Sequence, residues 1–306
     1  MKSNWWKWLV FAVSVASLAC LVSAQVGPSG SAEKSVGAVT VPFLVDDGHG
    51  NSMAEISPND LTILDDKKPA QRVIAVHTAK DMPLRLGVLI DTSGSQAHSA
   101  LFEQGVKAAS DFLIQELSSS GDRAFIVVFS AVPKGTGFMS KDELDKIRVK
   151  ISPGGGTALY DAINLACTER MKTDSTQPAR RILMLLSDGD DNLSHVNREA
   201  AVAAAQNSGT VIFAVSTRNY GDGEKGHKVL ERLAAETGGL AFSALNAKDM
   251  LKVLASIKQK IEQMQSVTYV PGETGKSGQF HSVELKIASD KKWKVHAPRG
   301  YFPAAQ

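Results

Sequence analysis

Residues 84–95 read LRLGVLIDTSGS, and they give the clearest indication of the fold class of the chain. It begins as an apolar run from Leu84 to Ile90, interrupted only by Arg85 near its start, and changes abruptly to polar residues at Asp91. A run that is apolar at nearly every position predicts a strand buried on both faces, which is typical of parallel sheets in α/β proteins. The polar residues Asp91, Ser93 and Ser95 are therefore expected at the carboxyl end of a buried strand.

The same alternation of apolar strands and amphipathic helices continues from this stretch to about residue 264. Strands are predicted over 124–129, 182–186, 211–215 and 240–244, and helices over 98–117, 158–171, 198–206, 228–236 and 247–264. Alternating strands and helices imply an α/β fold, a doubly wound and mostly parallel sheet with helices on both faces. In such sheets ligands bind at the carboxyl ends of the strands, where the strand order reverses.

The segments on either side of this α/β region have β character. Residues 36–81 contain short β-branched runs separated by turn signals, and residues 265–306 return to the same pattern. We expect the two segments to form one small β-rich module, with a Rossmann-like α/β domain at residues 82–264 between them.

The first residues of the chain have the pattern of an export signal. In residues 1–24, Lys2 and Lys7 accompany an apolar stretch of about 15 residues that ends in small side chains, which predicts a cleaved signal peptide. A membrane span needs about 20 apolar residues, so no integral span is expected after cleavage. Lipid attachment at Cys20 is the alternative. Residues 25–35 read as a flexible leader, and the mature protein is expected in the periplasm, outside the cell or at the cell envelope.

The net charge narrows the classes of partner, and the cysteine content limits the possible disulfides. Removing Lys2 and Lys7 changes the formal net charge from +2 to zero, so nothing favours nucleic acid or an anionic membrane as partner. Cys167 is the single cysteine left after cleavage, which excludes an internal disulfide, and its apolar neighbours indicate a small core residue.

Three polar loops contain the candidate site residues. They are residues 91–95, DTSGS, residues 154–157, GGGT, and residues 187–191, SDGDD. Two carboxylates and three hydroxyls come from these loops, on Asp91, Ser93, Ser95, Thr157 and Asp188. Hard cations such as Mg²⁺ prefer an all-oxygen set of this kind. Zinc is disfavoured, because no histidine or cysteine pair has zinc-like spacing.

These loops resemble the metal-ion-dependent adhesion site of von Willebrand factor type A domains. Asp91, Ser93 and Ser95 match the DxSxS pattern of that family, Thr157 matches its separate threonine and Asp188 its later aspartate. The resemblance implies that the hydroxyls and carboxylates hold Mg²⁺, or Mn²⁺ or Ca²⁺. It also implies that an acidic side chain of a partner protein completes the coordination, and that no bond is broken.

The resemblance extends beyond the α/β region. The segments 61–71, LTILDDKKPAQ, and 298–302, PRGYF, look like parts of a family of exported von Willebrand factor A-related proteins described chiefly from Acidobacteria. Similarity thus covers roughly residues 36–303. One departure is Gln96, where many relatives carry methionine, and it lies outside the implied ligand set.

Other interpretations of the polar loops remain open. Serine, threonine and aspartate are also common helix caps, and a degenerate site would not bind metal. A metal-independent structural or assembly protein of the cell envelope is the alternative function. An enzyme is not expected, because Ser93 replaces the second aspartate of aspartyl-nucleophile phosphatases. In addition, no Lys-Ser/Thr follows Gly154–Gly156, and Ser93 and Ser95 lack the GxSxG motif.

Overall fold

A computed structural model describes residues 37–48, 56–98, 102–146, 153–174, 178–217, 224–273, 278–288 and 293–303. All of these belong to the larger of two units in the chain, Ser35–Gln306. The predicted signal peptide and leader lie outside the described residues. Within the described ranges no helix has the length and apolar character that crossing a membrane requires.

Strands and helices alternate through the middle of the described residues, and strands predominate before and after this region. The strands are β1 Val39–Asp46, β2 Leu61–Asp65, β3 Lys68–Pro69, β4 Arg72–His77, β5 Leu84–Asp91, β6 Arg123–Phe129, β7 Lys134–Gly135, β8 Arg180–Ser187, β9 Thr210–Ser216, β10 Ala241–Ser243, β11 Gln265–Val270, β12 His281–Ile287, β13 Lys294–His296 and β14 Gly300–Tyr301. The helices are α1 Phe102–Glu116, α2 Lys141–Lys146, α3 Leu159–Leu165, α4 Arg198–Asn207, α5 Glu224–Glu236 and α6 Ala247–Gln263.

The central sheet confirms the predicted α/β class. Its strand order is β10-β9-β8-β5-β6-β7, and every pairing is parallel except that of β6 with β7. The sequence pattern predicts neither β7 nor α2, because elements of 2 and 6 residues are too short to show a period.

Apolar side chains cover both faces of this sheet. On one face Leu86, Val88 and Ile90 of β5 pack in a cluster with residues of α1 and α6. On the other face Leu89 packs in a cluster with residues of α3, α4 and α5. Burial on both faces explains why these strands are apolar at nearly every position. Cys167 lies fully buried in the second cluster, and burial raises the pKa of its thiol to about 12.

The predicted helix over 158–171 changes its winding along its length. Regular α-helix ends at Leu165, a π-helical turn follows at Ala166–Arg170, and a 3-10 turn covers Met171–Asp174. The predicted helix at 98–117 is preceded by a 3-10 turn, Gly94–His98, and α1 is described from Phe102. Apolar spacing does not distinguish these windings, since all of them bury one face.

The two terminal segments pair with each other, as the predicted β-rich module requires. β1 is antiparallel to β11, and β2 is antiparallel to β12. They contribute to two four-stranded sheets, β13-β1-β11-β4 and β14-β12-β2-β3, whose apolar side chains share one buried cluster. The domain limits at residues 81 and 264 remain predictions.

A buried ion pair joins α6 to the β-rich module. Lys260 Nζ lies 3.0 Å from Asp46 Oδ2, and both side chains are buried. His296 Nε2 of β13 lies 3.2 Å from the same oxygen, and the N–H of Gly48 donates to Asp46 Oδ1. Although burial alone would raise the pKa of Asp46, the bond from Gly48 and the charge of Lys260 hold it below its ordinary value.

A second buried carboxylate connects the two sheets of the module. Asp65 Oδ2 accepts hydrogen bonds from the hydroxyls of Tyr269 at 2.8 Å and Tyr301 at 2.9 Å. Asp65 Oδ1 lies 3.2 Å from His281 Nδ1. Burial, followed by the hydrogen bond to Asp65, raises the pKa of both tyrosines, so each hydroxyl keeps its proton. Tyr269 belongs to one sheet and the other three residues to the second.

Candidate functional site

The predicted site residues lie where the strand order of the central sheet reverses. β5 is the first strand of this sheet along the chain, and its neighbours are β6 on one side and β8 on the other. Asp91 is the last residue of β5, and Asp188 follows β8 directly. Parallel pairing of Ile90 with Leu186 places both aspartates at the same edge. This is the reversal point at which α/β sheets bind ligands.

Hydrogen bonds bring four of the five predicted residues together. The N–H of Ser93 donates to Asp91 Oδ1 at 2.9 Å, and the hydroxyls of Ser93 and Ser95 lie 3.1 Å apart. Ser95 Oγ donates to Asp188 Oδ2 at 2.6 Å, although the two residues are 93 positions apart. Asp91, Ser93 and Asp188 are buried while Ser95 is exposed, so the cluster opens to solvent on the side of Ser95.

The fifth residue, Thr157, lies on a neighbouring loop that is joined to the first by backbone hydrogen bonds. The N–H of Gly94 donates to the carbonyl of Gly155 at 2.9 Å, and that of Gly154 donates to Thr92 at 2.8 Å. The N–H of Thr157 donates to Asn192 Oδ1 at 2.8 Å. The structure thus places Thr157 in the loop that borders the DxSxS segment, with its side chain buried.

The electrostatics of the site disfavour two ionised carboxylates without a positive charge beside them. Burial raises the pKa of the Asp91 carboxyl, and the negative charge of Asp188 raises it further. Hydrogen bonds from Ser187 and Ser93 act in the opposite direction. Asp91 and Asp188 are only 2% and 1% exposed, so water screens their repulsion weakly. A positive charge between them would relieve that repulsion.

Gln96, which lies outside the expected ligand set, bonds to a residue that is not one of the five. Its side chain is buried, and Gln96 Oε1 accepts a hydrogen bond from Thr217 Oγ1 at 3.1 Å. Thr217 follows β9, and its own N–H donates to the carbonyl of Ser187. Gln96 therefore links the first loop to the strand beyond β8.

Sequence reasoning missed the residues that support the five. Ser187 Oγ donates to Asp91 Oδ2 at 2.6 Å and accepts from the N–H of Gly189. The carboxylate of Asp191 accepts from the N–H groups of Leu159 and Tyr160, so it caps α3. Asp191 is therefore a structural residue that fixes this loop against α3. A loop rich in serine and aspartate gives no signal that separates supporting residues from solvated ones.

A second group of potential metal ligands lies in the β-rich module. Asp65, Asp66 and His281 each present one ligand atom, and these atoms lie within 4.8 Å of one another. Asp65 and His281 are buried, and Asp66 is exposed. The sequence offers no sign of this group, because His281 is 216 positions from Asp65. The hydrogen bonds from both tyrosines and the histidine give it a structural role as well.

Gly156 lies close to two side chains beside Thr157. A Cβ atom on Gly156 would lie 2.5 Å from Leu193 Cδ1 and 2.6 Å from Asn192 Oδ1, the atom that accepts from Thr157. We expect Gly156→Ala to lower the free energy of unfolding by about 1–3 kcal/mol, as overpacking does, in urea denaturation. Gly137→Ala is the control, because its Cβ meets nothing within 4 Å. Equal effects of the two substitutions would contradict this.

Known proteins with the same architecture were found by comparison of family models and of solved structures. The family model of the von Willebrand factor type A domain matches residues 86–260, more than half of the 306-residue chain. No curated protein matches it. Three similar solved structures are proximal thread matrix protein 1 from the mussel byssus, a von Willebrand factor type A protein from Catenulispora acidiphila, and the pilus adhesin SpaC from Lactobacillus rhamnosus GG in its open conformation.

These likenesses concern the fold alone. The mussel protein is 18% identical over 63% of this chain, with a TM-score of 0.49, and this chain spans only 49% of it. The Catenulispora protein is 13% identical, with 86% of this chain and 75% of that chain covered and a TM-score of 0.48. SpaC is 10% identical, with 82% of this chain and 49% of that chain covered and a TM-score of 0.45. The family match, together with the fold, shows that the chain belongs to the von Willebrand factor type A domain family.

Proposed function

We propose that this chain is an exported protein-binding module whose adhesion site holds a divalent cation, Mg²⁺ or Mn²⁺. Domains of this family commonly mediate protein–protein interaction or adhesion, and they often bind a divalent metal. The observation that carries the proposal is the bond from Ser95 to Asp188, which draws the first and third loops to one point.

The donor set fits such a cation. Asp91, Ser93, Ser95, Thr157 and Asp188 offer only oxygen atoms, and Mg²⁺ takes oxygen ligands while retaining several waters. The raised pKa of Asp91 arises from burial and from Asp188, and a cation would compensate both. When bound, the cation supplies an open coordination position for a carboxylate of the partner.

The protein's own residues orient this set and restrict its movement. Ser187 holds one carboxylate oxygen of Asp91, and the N–H of Ser93 holds the other. Asn192 fixes the backbone at Thr157. Hydrogen bonds of this kind to ligating side chains determine how precisely those side chains are oriented toward a metal. In this proposal Ser93 and Ser95 act as ligands, and neither attacks a substrate.

A metal-independent structural or assembly role at the cell envelope is the second candidate. This role needs no cation, because the hydroxyl of Ser95 and the carboxylate of Asp188 already join the two loops by a direct hydrogen bond. The two candidates differ in what a divalent cation does to stability.

We expect Mg²⁺ at about 100 times its Kd to stabilise the wild-type protein by about 2.7 kcal/mol, because it binds only the folded state. Asp91→Asn should abolish this stabilisation. In chelator the same variant should unfold at a higher temperature than wild type, because the raised pKa of Asp91 marks a buried charge that disfavours folding at neutral pH. Calorimetry and thermal unfolding, each with and without chelator, measure both effects.

Two control variants separate this site from general effects. Asp122, also buried, accepts from the N–H groups of Leu84, Ser118 and Ser119, which hold its pKa low despite burial. Asp122→Asn should therefore destabilise the protein and leave the response to Mg²⁺ unchanged. Asp66→Asn removes one potential ligand of the second group and should also keep that response. Absence of any cation effect on wild type would reject the metal-dependent function.

A further inference from the structure

Two carboxylates in the β-rich module converge on one nitrogen of a histidine. Asp65 Oδ1 lies 3.2 Å from His281 Nδ1, and Asp66 Oδ2 lies 3.0 Å from the same atom. Asp65 ends β2, Asp66 begins the turn that follows it, and His281 begins the neighbouring strand β12. A ring nitrogen carries at most one proton, so the two carboxylate oxygens share a single donor. The position between these three atoms therefore favours more positive charge than one proton supplies.

The spacing of these three atoms fits a metal ion. Asp65, Asp66 and His281 each present one ligand atom, and these atoms lie within 4.8 Å of one another. A tetrahedral zinc ion holds nitrogen and oxygen ligands at about 2.0–2.2 Å, which places neighbouring ligand atoms about 3–3.5 Å apart. Both distances to His281 Nδ1 fall in that range. A divalent cation in place of the shared proton can thus contact all three side chains after small movements.

The second oxygen of each carboxylate is held by donors that do not belong to the three ligands. Asp65 Oδ2 accepts from the hydroxyls of Tyr269 and Tyr301. Asp66 Oδ1 accepts from the N–H of Ser282 at 2.9 Å and from its hydroxyl at 3.1 Å. These bonds leave one oxygen of each carboxylate directed at the imidazole. Outer hydrogen bonds of this kind orient the ligating carboxylates of metal sites.

Burial and ligand chemistry indicate which ions can bind. Asp65 and His281 are only 4% and 8% exposed, whereas the side chain of Asp66 is 47% exposed. An ion can therefore enter from the side of Asp66, where a water can fill a further coordination position. An imidazole nitrogen beside two carboxylates suits transition-metal ions such as Zn²⁺. Mg²⁺ prefers oxygen ligands alone, which is the set that the adhesion site offers.

We propose that Asp65, Asp66 and His281 form a second metal site, which binds a transition-metal ion such as Zn²⁺ through one nitrogen and two carboxylate oxygens. This site is independent of the adhesion site and of its proposed function. The ion takes the place of the proton on His281 Nδ1, which is released to solvent, and the neutral imidazole keeps its proton on Nε2. The bound ion connects the turn after β2 to β12, so it stabilises the β-rich module.

The test is a titration of the full chain with Zn²⁺ by calorimetry, in a buffer that contains excess Mg²⁺. We expect the wild-type protein to bind Zn²⁺ and Asp66→Asn to weaken that binding about 100-fold, because loss of an outer partner alone costs about 10–100-fold. Tyr301→Phe, which removes one such partner of Asp65, should weaken it about tenfold. Nitrogen-15 NMR of the imidazoles should show that Zn²⁺ shifts the resonance of His281 Nδ1.

Asp66→Asn is informative because it should keep the fold. Asparagine retains an oxygen for the N–H of Ser282, and it tolerates the positive φ of 47° that Asp66 has in its turn. In chelator this variant should therefore unfold at close to the wild-type temperature. Glu284→Gln is the matched control, since it removes an exposed carboxylate from the same strand as His281 and should leave Zn²⁺ affinity unchanged.

The result in Asp91→Asn separates the two metal sites, because this variant should bind Zn²⁺ as tightly as the wild-type protein does. The proposal is overturned if the wild-type protein binds no Zn²⁺, or if Asp66→Asn binds it equally well. Binding that is lost in Asp91→Asn and kept in Asp66→Asn would place Zn²⁺ at the adhesion site and would also overturn the proposal.

Discussion

Replacing Lys260 with methionine is expected to lower the free energy of unfolding by about 3 kcal/mol. Lys260 Nζ lies 3.0 Å from Asp46 Oδ2 with both side chains buried, so the substitution leaves a buried carboxylate without its cation. Breaking a buried pair in this way costs about 3–5 kcal/mol. The lower end applies because Gly48 still donates to Asp46 and His296 stays within 3.2 Å of it. Urea denaturation measures the change.

Two further variants show whether the unpaired charge is the cause. Lys252→Met removes an exposed lysine of the same helix, 3.8 Å from Asp249, and should cost at most about 0.5 kcal/mol. Adding Asp46→Asn to Lys260→Met should restore part of the lost stability, because the double variant buries no charge at this position. A loss in Lys260→Met no larger than that in Lys252→Met would refute the explanation.

The second large effect is expected at Asp65. Asp65→Ala removes the acceptor of the Tyr269 and Tyr301 hydroxyls and the contact with His281. Each buried donor left without a partner costs about 1–3 kcal/mol, so we expect a loss of about 3 kcal/mol or more. Because Asp65 connects both sheets of the β-rich module, hydrogen exchange in β11 and β12 should accelerate.

Two control variants either keep part of the Asp65 hydrogen-bond network or lie outside it. Tyr301→Phe removes one donor and should cost about 1 kcal/mol, since Asp65 keeps its other partners. Asp111→Ala removes an exposed aspartate that pairs with Lys107 at 2.6 Å in α1, and should cost about 0.5 kcal/mol. An Asp65→Ala protein as stable as the Asp111→Ala protein would show that water replaces the carboxylate.

Lys260 and Asp65 lie outside the adhesion site. Substituting them should therefore change the stability of the fold without removing a proposed ligand of the adhesion-site cation. The Asp46–Lys260 pair and the Asp65 network stabilise contacts of the terminal segments. Asp91, by contrast, is a buried charge whose raised pKa reduces metal-free stability. Opposite signs for Asp91→Asn and Asp65→Ala are expected for a binding residue and a structural residue.

The amino-acid sequence predicts the central sheet well, for a local reason. Apolar residues at nearly every position of 84–90 and 182–186 can be satisfied only by strands covered on both faces, and β5 and β8 have that environment. The order of the DxSxS loop, Thr157 and Asp188 along the chain also predicts one shared edge. The structure brings Asp91, Ser93, Ser95 and Asp188 into one hydrogen-bonded cluster there. That these residues hold a cation remains a prediction.

The partners of these residues were decided by the tertiary structure. Ser187 contacts Asp91 because parallel pairing places β8 beside β5, and Asn192 reaches Thr157 because its loop folds back over α3. Lys260 and Asp46 are 214 positions apart, and each resembles an ordinary surface residue in the sequence. Periodicity reports the burial of a segment against its neighbours, whereas such contacts depend on strand register and on the order of strands in the sheet. The sequence therefore specified which segments are buried and which loops are polar, and the fold specified which atoms meet.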